Sequence, residues 1–166
     1  SGANANKIIV PAGQVLDASA GTFTPSVDQI LQVKRNYAPN VSGGIVINTT
    51  SLVASGISVL ITPKLSNSLI LIDLNISMVQ ANSSASSLTA RMYVNGSQMP
   101  SGSGYHIGYN GYGANEYSPM CFGGFYQASS TSSLTFEAYA QSNGGGQVRL
   151  VHPAASWSIT AWEIKQ

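Results

Sequence analysis

Six carboxylates, two histidines and one cysteine are the chain's stock of acid, base and nucleophile groups beyond its hydroxyls. The acids are Asp17, Asp28, Asp73, Glu116, Glu137 and Glu163. A glycosidase needs two such groups facing each other across a sugar bond. No two are neighbours in the sequence, so a dyad has no local support, although distant segments can bring two together. His106 and His152 stand alone, and neither His-Glu-x-x-His nor Gly-x-Ser-x-Gly occurs. His152 precedes Pro153 and reads as a turn residue rather than a ligand. Gly102 to Gly108 is glycine-rich, but no Lys-Ser/Thr pair and no helix pattern follows, so it is not a phosphate loop. Cys121 is single, which excludes an internal disulfide and a thiolate metal cluster. The expectation is a protein without catalytic residues, metal or cofactor.

One segment has the chemistry of recognition instead. Residues 101–117 form a loop rich in Gly, Tyr, Ser and Asn. Tyr105, His106, Tyr109, Asn110, Tyr112, Asn115 and Tyr117 are its candidate contact residues. Tyr offers a large amphipathic face at low entropy cost, and Gly, Ser and Asn adapt and hydrogen-bond, as in antibody loops. Tyr rings also suit the apolar faces of sugars. The alternative is that this loop packs on a neighbouring subunit or covers the end of the domain.

The elements that must position these residues are strands. No helical periodicity of useful length appears. Short apolar runs alternate with Ser, Gly, Asn and Pro clusters, the pattern of a sandwich or barrel. Strands are predicted at Ile30–Tyr37, Ile45–Ile47, Ile57–Pro63, Leu69–Met78, Leu88–Val94, Met120–Gln127, Leu134–Ala140, Val148–Val151 and Trp157–Ile164. In Leu69–Met78 the residues Ile70, Ile72, Leu74, Ile76 and Met78 share one face. Leu88, Ala90, Met92 and Val94 point inward, with Thr89, Arg91 and Tyr93 outward. Leu134, Phe136, Ala138 and Ala140 alternate with Thr135, Glu137 and Tyr139. Asn95-Gly96 is a strong signal for a two-residue hairpin turn. Residues 1–29 differ: small residues, two prolines and one β-like patch at Ile8, Ile9 and Val10. They read either as an extended N-terminal arm or added strand, or as a partly disordered terminus.

The last strand bears on assembly. Trp157, Ile159 and Ala161 lie on one face, and Trp162 and Ile164 on the other. A strand apolar on both faces is covered on both. One cover is the core; the other is another subunit or the arm. Trp157, Ile159, Trp162 and Ile164 are therefore the candidate subunit-interface residues.

Composition agrees with a binding and assembling role. Of 166 residues, 43% are hydrophobic and only 8% charged, so the polar surface is hydroxyls and amides. Such a surface meets another subunit without stranding buried charge. A net charge of +1 leaves no basic stripe for phosphates, so nucleic acid is not an expected partner. No apolar run has the length of a membrane helix, and these residues show no signal-peptide pattern. Asn-x-Ser/Thr triplets at Asn40, Asn48, Asn75, Asn82 and Asn95 are what an Asn- and Ser-rich chain produces by chance.

The order of segments resembles a known domain type. Ile30-Leu31-Gln32-Val33 opens it. SVLITPKLSNSLILI (Ser58 to Ile72), RMYVNGSQM (Arg91 to Met99) and SITAWEIKQ (Ser158 to Gln166) follow. Together these resemble a β-sandwich domain in virion proteins of tailed bacteriophages, including fibre and decoration proteins of phages of cyanobacteria and marine bacteria. The likeness covers about residues 30–166 and its motifs are loose. It implies an all-β, antiparallel, jelly-roll-like sandwich at 30–166, commonly trimeric, on the virion surface, with no catalytic residues to transfer. The chain is short for a whole tail fibre, and the arm at 1–29 is not part of the pattern.

The function expected is that of a non-enzymatic structural protein, a capsid decoration or head-fibre protein. Its partners would be further copies of itself and a major capsid or tail protein, with the arm as the attachment. The alternative is a receptor-binding tip of a tail fibre, with the Tyr loop touching a host surface glycan. A polysaccharide-cleaving enzyme comes third.

Overall fold

A computed structural model describes residues 29–81, 87–100, 106–110, 116–144 and 146–166, with backbone alone at 106–110 and 116. The candidate attachment residues Ile8, Ile9 and Val10 lie outside the described residues, as do Tyr105, Tyr112 and Asn115. No helix occurs among the described residues.

Eleven strands form: β1 (Ile30–Ala38), β2 (Ile45–Ile47), β3 (Val53–Ile61), β4 (Leu69–Ala81), β5 (Ser87–Val94), β6 (Ser97–Gln98), β7 (His106–Asn110), β8 (Glu116–Gln127), β9 (Leu134–Ser142), β10 (Val148–Val151) and β11 (Trp157–Ile164). The first sheet runs β1-β11-β4-β8. In it β2 and β10 prolong β1 and β11 along the far end of β4. The second sheet runs β3-β9-β5-β7, with β6 also beside β5. Every pairing is antiparallel. The pairs β1/β11, β3/β9, β4/β8 and β5/β7 are four ribbons wound around one core, which is the jelly-roll arrangement of two packed sheets.

The alternation read from the sequence builds this core. Ile57, Ile61, Ile70, Ile72, Leu74, Leu88, Ala90, Phe136, Ala138 and Ile159 are all buried. Side chains at every second position of facing strands interdigitate there. Asn95 and Gly96 both have positive φ, 48° and 77°, as the turn joining β5 to β6 requires.

Two strands are interrupted opposite each other. The chain leaves the sheet between β1 and β2 and between β10 and β11, and the Val41 amide donates to the Ala155 carbonyl at 3.3 Å. Gly44 makes this possible. Its φ is +69°, and a Cβ there would sit 2.4 Å from the Val151 oxygen and 3.1 Å from Pro153 Cδ. No other residue fits.

Two expectations are corrected and one is refined. Met78 packs against the core only half-buried: the register shifts between Ile76 and Val79, and full burial resumes at Val79 and Ala81. The loop expected at 101–117 contains strand β7, which pairs with β5 from His106↔Arg91 to Asn110↔Ser87, and Tyr117 belongs to β8. Its Gly/Tyr composition lacks alternation, so pairing there comes from β5 rather than from local pattern. Ile159 is not a surface residue; it is fully buried within the single chain.

The seam between the sheets is closed by amides. Gln32 Nε2 donates to the Thr62 carbonyl at 2.6 Å, and Asn36 Nδ2 to the Ser58 carbonyl at 2.9 Å. Both side chains reach from edge strand β1 to the margin of edge strand β3.

Candidate functional site

The described carboxylates do not converge. Glu163 points into the molecule and is fully buried. Its Oε1 accepts the Lys64 and Leu65 amides at 2.8 and 3.1 Å, and its Oε2 accepts Gln32 Nε2 at 2.6 Å. Burial alone would push this carboxyl up; hydrogen bonds from Gln32, Ser68 and the Leu65 and Lys64 amides outweigh it and hold the group below the usual glutamate value. Glu163 thus fastens the β3–β4 crossing to β1 and β11. The sequence offered only a lone Glu in an apolar strand as its signal. Asp73 lies on the outer face of the first sheet and Glu137 on the outer face of the second, with the core between them. His152 occupies the turn before β11, where its Nδ1 accepts the Ala154 amide at 3.2 Å. Tyr117 meets the His152 ring edge-on at 5.1 Å, and its hydroxyl accepts Gln80 Nε2 at 3.3 Å. No group of three metal-binding side chains occurs among the described residues.

What the fold does assemble is two unlike outer faces. On the first sheet, register aligns Val33, Trp162, Leu71 and Phe125 in one row across β1, β11, β4 and β8. Val33 is 49% exposed, Leu71 41% and Phe125 44%. Trp162 is half-buried beside them. Ile164 and Leu69 extend the apolar area toward Ile30. A shallow depression of about 430 Å³ opens among Leu71, Asp73, Gly123, Gly124, Phe125 and Trp162. Gly123 is its bare floor, because a Cβ there would lie 2.3 Å from the Ile72 oxygen. The adjoining rows are polar: Arg35, Thr160 and Asp73, then Tyr37, Ser158, Asn75 and Cys121. Of the four candidate interface residues, this face gathers Trp162 and Ile164. Trp157 packs half-buried against the core.

The outer face of the second sheet carries Thr89, Arg91 and Tyr93 from β5 and Thr135, Glu137, Tyr139 and Gln141 from β9. Tyr93 and Tyr139 stack with ring centres 3.8 Å apart and planes 15° from parallel. Arg91 Nη1 donates to Gln98 Oε1 at 2.8 Å. Gln141 donates to Asn143, and Asn143 to Thr89 Oγ1. Glu137 Oε1 accepts the Gly56 amide at 3.0 Å. The backbone of β7 borders this face, bringing candidate residues His106 and Asn110 into register with Arg91 and Ser87, while Tyr109 pairs with the core position Leu88.

The chain matches no known family model and no curated protein. Among solved structures, dimeric latent PorU from Porphyromonas gingivalis is similar at 10% identity and a TM-score of 0.41. The likeness covers 86% of this chain and 14% of that one, so this chain spans a small part of PorU. It carries no argument about function.

Proposed function

We propose that this chain is a non-enzymatic, self-associating jelly-roll module of a tailed-phage virion, displayed on the particle surface as a capsid decoration or head-fibre protein. The observation that supports it is the uncharged row Val33–Trp162–Leu71–Phe125, which crosses the four strands β1, β11, β4 and β8. A contiguous apolar patch of this kind on a small domain marks an association site, and a Trp at its centre is a typical anchor.

The occupant is a second copy of the chain. Beside the row stand one cation, Arg35, and one anion, Asp73, so two copies meet without net repulsion. Four strands about 4.8 Å apart and eight residues long project to roughly 500 Å². Protruding side chains raise that toward the about 800 Å² each partner gives to a standard interface. The described part of the chain starts at Gln29, whose carbonyl accepts the Lys165 amide at 2.9 Å. On this reading residues 1–29 are the attachment to a capsid or tail protein.

Light scattering tests the reading. The chain should run as a trimer, and Trp162→Asp should run as a folded monomer. A wild-type monomer at micromolar concentration overturns it. Electron microscopy of the particle then separates capsid from tail.

The second reading, a tail-fibre tip that recognises a host glycan, is favoured by the aromatic and polar outer face of the other sheet.

A further inference from the structure

We infer that the outer face of the β3-β9-β5-β7 sheet is a binding site for a neutral oligosaccharide, centred on Tyr93, Tyr139 and Arg91. This does not depend on the self-association reading, because the two faces lie on opposite sides of the core.

The inference starts from what a pyranose presents: an apolar C–H face and a rim of hydroxyls, each both donor and acceptor. An aromatic ring takes the first, and fixed planar polar groups take the second. The Tyr93–Tyr139 stack is a preformed platform. Each ring has one face committed to the other, and neither phenol oxygen is engaged by a described residue. Arg91 stands in register with Tyr139, and Glu137 with Tyr93, so the charged groups bracket the stack diagonally. Both are already held. Arg91 is fixed by Gln98 through Nη1, and its Nε is enclosed. Glu137 is fixed by the Gly56 amide through one oxygen. Beyond them Gln141 is held by Asn143. Side chains fixed before the ligand arrives lose little entropy on binding.

Charge selects the class. Arg91 and Glu137 cancel, and the remaining groups named are hydroxyls and amides. A polyanion would meet Glu137 without a surplus cation, whereas a neutral hydroxyl rim finds donors and acceptors together. The face is a pleated sheet surface, which suits an extended chain of sugars lying across strands.

The test is an NMR titration of the full chain with cellohexaose, maltohexaose and N-acetylchitohexaose, with tetragalacturonate as the acidic comparison. The expected result is saturable shifts of backbone amides at 89–93 and 137–141 with at least one neutral sugar, and weaker binding of the acidic one. Arg91→Ala should weaken that binding about tenfold, as expected for a charged hydrogen bond. Glu137→Gln, which keeps the shape, should retain a dispersed spectrum and also bind more weakly. Trp162→Asp should bind as wild type. Three outcomes overturn the inference: no shifts with any neutral sugar, tighter binding of tetragalacturonate, or shifts confined to the opposite sheet. If the inference fails while the chain remains a trimer, the self-association reading stands. If Trp162→Asp remains a trimer while sugar binding holds, only that reading falls.

Discussion

The two outer faces share a core and differ in nearly everything else. One carries Val33, Trp162, Leu71 and Phe125 in an uninterrupted row, with a glycine floor beside it. The other carries a stacked tyrosine pair held among an arginine, a glutamate and amides. Both are built on strands of the same period, so the contrast lies only in what occupies the outward positions. A dry face suits permanent cover, since its exposure costs free energy in water. A polar aromatic face is stable when wet and still offers area to a ligand. The difference teaches that one small sandwich can offer two chemically unlike surfaces, as the proposed assembly and recognition roles require, without their competing for area.

The strongest way to break the contrast is to remove what the faces share. Phe136→Ala empties the centre of the core and should cost about 4 kcal/mol in urea unfolding. Both faces should fail together; loss of only one would mean that they are supported separately. Glu163→Ala is next, at about 3 kcal/mol, because it leaves the Gln32, Lys64 and Leu65 donors without their buried acceptor. Its pH dependence has a definite sign. The folded group titrates lower than an unfolded one, so its stabilisation is full above the ordinary glutamate value, about 4.3, and is lost as pH falls through the lowered folded value. Glu163→Gln should flatten that acid limb, and an unchanged limb would assign acid unfolding to other groups.

Smaller changes sharpen the contrast instead. Trp162→Ala should weaken self-association by about 2 kcal/mol, measured by sedimentation, as for an interface anchor. Its effect on the unfolding of the single chain should be slight. A double-mutant cycle on Tyr93→Ala and Tyr139→Ala should give a coupling of about 1 kcal/mol from their stack. Oligomeric state should not move. A cycle value near zero would mean that the stack is not formed in solution.

Much of this was legible in the sequence, and unevenly so. The alternation of β5 and β9 places Tyr93, Glu137 and Tyr139 outward, as they are. That Tyr93 and Tyr139 touch was not legible, because adjacency of β5 and β9 is a matter of strand order. Leu69–Met78 reads as a clean strand, but the bulge after Ile76 leaves Met78 half-buried and brings Val79 fully inward, and a period of two has no means to show an extra residue. The lack of alternation in residues 101–117 concealed β7. In β11 two apolar faces were evident, yet which met the core depended on pairing with β4. Ile159 went inward, and Trp162 and Ile164 stayed out. Glu163 stood in the sequence only as a lone acid in an apolar strand, and its burial follows from donors 98 to 131 residues away in the chain.

The amides of Gln32 and Asn36 that close the seam between sheets also limit how copies of this protein can join. A bare edge strand is a template onto which a neighbour can add without end, giving fibres. Here the margin of β3 already receives donors from β1. At the opposite margin Pro119 takes one donor out of edge strand β8. Edgewise addition of a further strand is therefore discouraged along β3 and interrupted along β8, which leaves the broad sheet faces as the surfaces on which the proposed contacts can be tested.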